Sequence, residues 1–198
     1  MTSTPSTTAT TPTLTPTTAV PAPLLRLVLT GFMGAGKTTV GRLLAQRIAW
    51  DFLDLDALIE SRTGLTVPSI FATHGEARFR QLESSALASA LGRGNIVLAL
   101  GGGAPETLTN RLLLEQTPAT ATVFLDAPFP VLFDRCMLQD IARPVLEDPA
   151  AAQLRFGRRH PLYRRLAGLT IDTTDLSPEQ TVEALLATVF PPGPSPYL

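Results

Sequence analysis

The chain has few cysteines and histidines, the residues that cross-link small domains through disulfides or metal ions. Among its 198 residues there is one cysteine, Cys136, so an internal disulfide is excluded and a reducing compartment, the cytoplasm, is expected. Cys136 is either a reactive thiol or a small buried residue of a helix, and we favour the buried residue. The two histidines, His74 and His160, have no ligand-like neighbours, which argues against a zinc site.

A long apolar run and a strong net charge are also missing. No segment approaches the length that a membrane-spanning helix needs, and the N-terminus lacks the features of a secretory signal. The net charge of -1 gives no reason to expect nucleic acid or an anionic membrane as a partner. With 44% hydrophobic residues, the composition is that of a globular domain, and we expect a monomer.

The two ends of the chain differ from its middle. Residues 1–24 contain no charged residue and consist largely of Thr, Pro, Ala and Ser, which predicts a disordered extension. A transit peptide is the alternative, but the segment has neither Arg nor Lys. Pro191–Leu198 carries four prolines and is predicted to be a loose tail. One domain is therefore expected over residues 25–190.

Within that domain, short apolar runs alternate with helical patterns. The predicted strands are Leu25–Leu29, Phe52–Leu55, Ile96–Leu100, Ala121–Leu125 and Leu169–Ile171. The predicted helices are Lys37–Ala49, Asp56–Arg62, Thr66–Thr73, Gly75–Leu91, Glu106–Glu115, Pro130–Leu138, Ala150–Arg165 and a last helix opened by the capping box Ser177–Gln180. Continuous apolar strands suit a parallel sheet covered on both faces, so we predict an α/β doubly wound fold.

Residues 31–39, which we call the phosphate loop, contain the pattern G-x-x-x-x-G-K-[ST] over Gly31–Thr38. The pattern stands between a predicted strand and a predicted helix, as it must to act on phosphates. Glycines let backbone N–H groups approach a phosphate, Lys37 brings a point charge to it, and the Thr38 hydroxyl reaches Mg²⁺. We expect nucleotide contacts from Gly34, Ala35, Gly36, Lys37, Thr38 and Thr39.

A phosphate loop is shared by kinases, ATPases, GTPases and switches, so other features must separate these classes. The base-reading signature N-K-x-D of GTPases is absent, and large ATPases need more chain. The second glycine cluster, Gly101–Gly103, does not fit the dinucleotide pattern G-x-G-x-x-G. A short chain with scattered arginines favours phosphoryl transfer to a small acceptor.

Six segments, in order along the chain, then carry a resemblance. They are Gly31–Lys37, Asp54–Asp56, Phe79–Glu83, Leu100–Gly103, Arg143–Leu146 and Arg159–Arg164. Over about residues 25–190 the chain resembles the shikimate kinase family. The resemblance implies a three-layer α/β/α P-loop kinase fold with a five-stranded parallel sheet. It also implies ATP and Mg²⁺ as cofactors and transfer of the γ-phosphate to the 3-hydroxyl of shikimate, a step toward aromatic amino acids.

The acceptor implied by this resemblance carries one carboxylate and three hydroxyls. A carboxylate calls for arginine, whose planar fork matches it, and the candidates are Arg80 and Arg164. Alternatively, Arg80 forms a surface pair with Glu83, and Arg164 is a cation at the end of a helix. The backbone N–H groups of Gly101, Gly102 and Gly103 are free of side chains and are expected to approach the substrate.

Two acids stand at the end of the second predicted strand, where ligands of such sheets bind. If the strand runs through both, Asp54 and Asp56 share one face. We expect Asp54 to hold a water on Mg²⁺ together with Thr38, because the third strand ends in glycines without an acid. Asp56 is expected to position or deprotonate the attacking hydroxyl, and the alternative is a helix N-cap.

The last two predicted contacts come from the second half of the domain. Residues 139–149 show no periodicity and are predicted to form a lid whose Arg143 reaches the transferring phosphoryl group; a solvated loop arginine is the alternative. Arg135 and the loop 173–178 are expected to contact the adenine. Cys136 stands where the family often has a second basic residue.

Two other functions stay open at this point. One is a kinase for another small hydroxylated acid, such as gluconate, or for a nucleoside monophosphate. The other is a non-catalytic module that binds ATP without transferring its phosphate.

Overall fold

The computed structural model describes residues 24–138 and 148–190. Its centre is a five-stranded sheet in the order β2-β3-β1-β4-β5, and every pair of neighbouring strands is parallel. The strands are β1 Arg26–Thr30, β2 Asp51–Asp54, β3 Ile96–Ala99, β4 Thr120–Asp126 and β5 Leu169–Asp172. The predicted five-stranded parallel sheet is confirmed.

Helices cover both faces of this sheet. They are α1 Lys37–Arg47, α2 Leu55–Thr63, α3 Val67–Leu91, α4 Leu108–Gln116, α5 Phe129–Met137, α6 Pro149–Leu166 and α7 Pro178–Val189. Alternate residues of β1 point to opposite faces: Leu27 and Leu29 pack in a core with α1 and α7, and Val28 packs in a second core with α3. The molecule therefore has the predicted three layers.

The helix predictions hold near Gly75 but not at Glu106. The segments predicted as separate helices, 66–73 and 75–91, follow each other in α3 and are separated by a kink at Gly75, whose backbone is not helical (φ 74°, ψ 172°). The helix predicted to start at Glu106 starts two residues later, because Ala104–Glu106 form a separate 3₁₀ turn that begins immediately after Gly103. Glu106 therefore lies on the turn that follows Gly101–Gly103, which we call the glycine-rich loop, and not on α4.

The second strand starts and ends one residue earlier than predicted. β2 ends at Asp54, whose carboxylate accepts hydrogen bonds from the backbone N–H groups of Asp56 and Ala57 and so caps α2. Asp56 belongs to the first turn of that helix. The idea that one strand carries both acids on a shared face is wrong, and the residue that caps the helix is Asp54 rather than Asp56.

Several predictions fall outside the described residues. These are the extension over residues 1–24, apart from its last residue, the tail Pro191–Leu198, and the lid with Arg143, apart from residues 148 and 149. Among the helices that the structure describes, none has both the length and the apolar character needed to span a bilayer.

Candidate functional site

The phosphate loop follows β1 and leads directly into α1. Gly31, Gly34 and Gly36 have positive φ angles of 145°, 77° and 83°, a backbone region that other residues rarely adopt. A Cβ atom at Gly34 would overlap the carbonyl oxygen of Leu132 on α5. Glycine is therefore required both by the turn and by the close packing of the loop on α5. The first N–H groups of a helix have no partner within the helix, so the N-terminus of α1 at Lys37 favours an anion in the loop.

Lys37 is the first residue of α1 and the only lysine of the chain. Its ammonium donates hydrogen bonds of 2.9 Å to the carbonyl oxygens of Gly31 and Phe32, so the side chain folds back over the loop. A positive charge and the helix N-terminus thus converge on one small volume. This combination is what β- and γ-phosphates need.

Next to the loop lies a cavity of about 300 Å³. It is lined by Gly34, Ala35, Gly36, Thr39, Val40, Arg135, Leu138, Thr173, Leu176, Pro178 and Thr181. Arg135 donates hydrogen bonds to the carbonyl oxygens of Thr173 (2.5 Å) and Thr174 (3.1 Å), which fixes the loop before α7 against α5. The structure therefore brings together the two segments predicted to contact adenine. Cys136, the next residue of α5, is 3% exposed, which agrees with its interpretation as a small buried residue of a helix.

The predicted magnesium ligands meet at the edge of the phosphate loop. The Thr38 hydroxyl donates a hydrogen bond of 2.8 Å to Oδ2 of Asp54, whose other oxygen caps α2. Among the described residues no group of three His, Cys, Asp or Glu side chains could enclose a metal ion. A hydroxyl and one carboxylate, completed by water and phosphate oxygens, fit Mg²⁺, which keeps several waters in such sites.

Asp56 lies beside the glycine-rich loop that follows β3. A Cβ atom at Gly101 would be 2.7 Å from Oδ1 of Asp56 and 3.3 Å from Oε1 of Glu83. A side chain at this position would displace the carboxylate of Asp56, and glycine leaves room for it. The structure therefore brings Asp56 and Gly101 together, as predicted, although Asp56 arrives there from a helix.

Arg80 lies against the same glycine-rich loop. It forms an ion pair of 2.9 Å with Glu83, one helical turn away, and the Glu83 side chain is only 1% exposed. Burial raises the pKa of Glu83, and the attraction of Arg80 opposes that rise. A Cβ atom at Gly103 would lie 2.6 Å from Nη2 of Arg80, so the guanidinium packs directly on the loop backbone. The ion-pair alternative and the site prediction for Arg80 are thus compatible.

The second arginine in this place is Arg159, which the sequence reasoning missed. Its Nη2 atom would be 3.0 Å from a Cβ atom at Gly103, and its side chain is 14% exposed. Arg164, the predicted candidate, is 68% exposed, and its ion pair is with Asp126 at 3.7 Å. The structure therefore places Arg164 at the end of β4 and not beside Arg80.

Helix geometry explains this correction. Residues five apart on a helix point about 140° apart, so Arg159 and Arg164 occupy different faces of α6. Arg159 shares its face with Tyr163, four residues on, which is buried and donates a hydrogen bond of 2.6 Å to the carbonyl oxygen of Gly102. Burial raises the pKa of Tyr163, which therefore stays a neutral donor. Tyr163, four residues after Arg159, is the feature of the sequence that indicates which face of α6 packs on the glycine-rich loop.

Comparison with known proteins agrees with this geometry. A family model described as shikimate kinase matches residues 33–190. Over 163 residues the chain is 43% identical to a shikimate kinase of Lactococcus lactis, which covers 81% of this chain and 96% of that relative. The chain belongs to the shikimate kinase family.

Solved structures of the family extend the agreement to the fold. The structure of a shikimate kinase from Acinetobacter baumannii in complex with shikimate superimposes with a TM-score of 0.78 at 37% identity, covering 84% of this chain and 93% of that one. The family resemblance and the P-loop kinase fold predicted from the sequence are confirmed.

Proposed function

We propose that this shikimate kinase family member transfers the γ-phosphoryl group of ATP, bound with Mg²⁺, to the 3-hydroxyl of shikimate. The observation that carries the proposal is the pairing of Arg80 and Arg159 on the backbone of Gly103. Two guanidinium groups on a side-chain-free loop form a receptor for a planar carboxylate. Nucleoside monophosphates present a tetrahedral phosphate instead of a planar carboxylate. Gluconate also has a carboxylate, so the choice between gluconate and shikimate is left to the assay described below.

The nucleotide side of the reaction follows from the loop. Lys37 and the N-terminus of α1 would hold the β- and γ-phosphates, and the cavity that Arg135 lines would take the adenosine. Thr38 and Asp54 would hold the magnesium ion, Asp54 through a water. The ion neutralises charge on the phosphate oxygens when it is bound.

The acceptor side follows from Asp56, the glycine-rich loop and the arginines. The 3-hydroxyl oxygen forms a bond to the γ-phosphorus while the bond to the bridging oxygen of ADP breaks. The hydroxyl proton passes to Asp56, whose carboxylate lies beside Gly101. Arg80 and Arg159 fix the far end of the ring through its carboxylate. Gly102 is assigned to the same acceptor site, and Arg143 is proposed to close over the phosphoryl group.

A panel of acceptors tests this proposal. ADP release is measured by a coupled assay with shikimate, gluconate and nucleoside monophosphates at equal concentration. We expect turnover with shikimate well above the rate without acceptor. Turnover with another acceptor and none with shikimate would show that shikimate is not the substrate. ATP binding without turnover of any acceptor would show that the protein is a non-catalytic ATP-binding module.

We also propose that the protein acts as a cytoplasmic monomer without nucleic-acid or membrane partners. The residues assigned to the site belong to one chain, and the net charge is -1. Light scattering coupled to size-exclusion chromatography tests whether the protein is a monomer. A stable dimer at assay concentrations would refute it.

A further inference from the structure

Glu106 lies beside Arg80 and Arg159, the two arginines proposed to bind the substrate carboxylate, and has no part in the reaction described above. It lies on the 3₁₀ turn that follows Gly103. Its Oε2 atom is 2.7 Å from Nη2 of Arg159 and 3.5 Å from Nη2 of Arg80. One side-chain carboxylate thus contacts both guanidinium groups that are proposed to bind the carboxylate of the substrate.

The two arginines of this cluster are already compensated without a ligand. Glu83 and Glu106 match the two positive charges of Arg80 and Arg159, and Glu76 pairs with Arg80 at 3.0 Å from the exposed side. A substrate carboxylate that entered while Glu106 stayed in place would add a further negative charge to the same two guanidinium groups. Binding an anion is favourable only if one carboxylate leaves.

Glu106, the carboxylate that contacts both arginines, is able to leave. Glu83 is 1% exposed and paired with Arg80, whereas the side chain of Glu106 is 27% exposed. The other oxygen of Glu106 is 3.9 Å from Nη2 of Arg158, which is 75% exposed at the rim of the site. A rotation of the Glu106 side chain toward Arg158 would keep its charge paired while it releases Arg159.

We propose that Glu106 is a positioning residue that stands in for the substrate carboxylate: it holds Arg159 and Arg80 in the ligand-free enzyme and turns to Arg158 when the acceptor binds. The inference rests on the proposed function, since it assumes a carboxylate-bearing acceptor. It makes the affinity for the acceptor a competition between two carboxylates for the same guanidinium groups. A residue that merely ordered Arg159 would act in the opposite direction, because its loss would weaken acceptor binding.

The sign of the change in KM separates these roles. In the Glu106→Gln variant the competing charge is gone, so the KM for shikimate should fall by up to about fivefold, as expected for one partly exposed ion pair. The kcat should stay within about twofold. Calorimetric titration of the nucleotide-free protein with shikimate should show the same fall in Kd. An unchanged or higher KM and Kd would overturn the inference.

The role of Arg158 gives a second, independent test. Arg158→Gln should raise the KM for shikimate in the otherwise unchanged protein, because Glu106 then loses its alternative partner. The same change should have no effect on KM in the Glu106→Gln background. Arg165→Gln, at an exposed arginine of the same helix, is the matched control and should leave KM unchanged. Equal effects of Arg158→Gln in both backgrounds would contradict the exchange of partners.

Turnover by the unmodified enzyme separates this inference from the proposed function. If the unmodified protein neither binds nor phosphorylates shikimate, the proposed function fails and the inference with it. If it phosphorylates shikimate and Glu106→Gln does not lower the KM, only the inference fails.

Discussion

The Thr38 hydroxyl donates a hydrogen bond of 2.8 Å to Asp54, and this contact joins the phosphate loop to the end of β2. The same carboxylate caps α2 through the backbone N–H groups of Asp56 and Ala57. Asp54 thus has two separable tasks, one in folding and one in the proposed magnesium site.

The two tasks separate in the variants Asp54→Asn and Asp54→Ala. Asparagine is as good a helix cap as aspartate, so Asp54→Asn should keep its thermal stability but need about tenfold more Mg²⁺ for half-maximal rate. Asp54→Ala should in addition lose about 1 kcal/mol of stability. Magnesium titrations and thermal melts measure the two effects. An unchanged magnesium requirement in both variants would remove Asp54 from the metal site.

Lys37 offers a direct probe of nucleotide binding, because it is the only lysine of the chain. Mass spectrometry after treatment with an amine-selective acylating reagent should show that ATP with Mg²⁺ slows modification of Lys37 and leaves the α-amino group unaffected. In Lys37→Met, phosphoryl transfer should fall by at least about a hundredfold. Full protection together with undiminished transfer in the variant would refute the catalytic role of Lys37.

Asp56 is expected to act on the attacking hydroxyl. Asp56→Asn should lower kcat by about a hundredfold or more, because the amide cannot accept the proton, while the affinity for ATP stays near normal. Asp51→Asn, at an exposed aspartate that begins β2, is the matched control and should retain its kcat. A kcat within a few-fold of the unmodified enzyme in Asp56→Asn would show that another group positions the hydroxyl.

The two arginines of α6 should differ in their effect on acceptor binding. Arg159→Gln should raise the KM for shikimate by at least about tenfold, since a guanidinium that is only 14% exposed and is proposed to pair with the substrate carboxylate is lost. Arg164→Gln should change this KM little, because its guanidinium is exposed and paired with Asp126. Initial-rate kinetics at saturating ATP measure both. The reverse pattern would restore Arg164 as the substrate contact.

Glu106 should make stability depend on pH. Burial raises the pKa of Glu106, but the hydrogen bond and charge of Arg159, with help from Arg80, outweigh it and lower the pKa below the ordinary 4.5. The ionised form therefore stabilises the fold above that ordinary pKa, and this stabilisation is lost as pH falls through the lower folded pKa. The difference in Tm between the unmodified protein and Glu106→Gln should be positive at neutral pH and should shrink below 4.5. A difference that grows on acidification would contradict this.

Local patterns in the sequence predicted the sheet and the phosphate loop because each depends on neighbouring residues. The run of apolar residues in β3 and the glycine spacing before Lys37 need no information from distant segments. The alternative that Asp56 caps α2 is wrong because β2 ends one residue earlier than its apolar pattern suggests. One residue decides whether Asp54 or Asp56 occupies the capping position.

The acceptor site was predicted less well because it is assembled from four separate segments. Arg80 was found through its motif, but the choice between Arg159 and Arg164 depends on which face of α6 packs on the glycine-rich loop. Buried Tyr163 decides that face. Glu106 was missed because its role depends on contacts with residues 26 and 53 positions away, which no local pattern records.

The most direct test is the identity of the product. The protein is incubated with ATP, Mg²⁺ and shikimate, and the product is examined by phosphorus and proton NMR. We predict one phosphate ester per ADP formed, with its phosphorus coupled to the proton on carbon 3 of the ring. ADP that accumulates without a phosphorylated ring, or a phosphate on another hydroxyl, would contradict the proposed reaction.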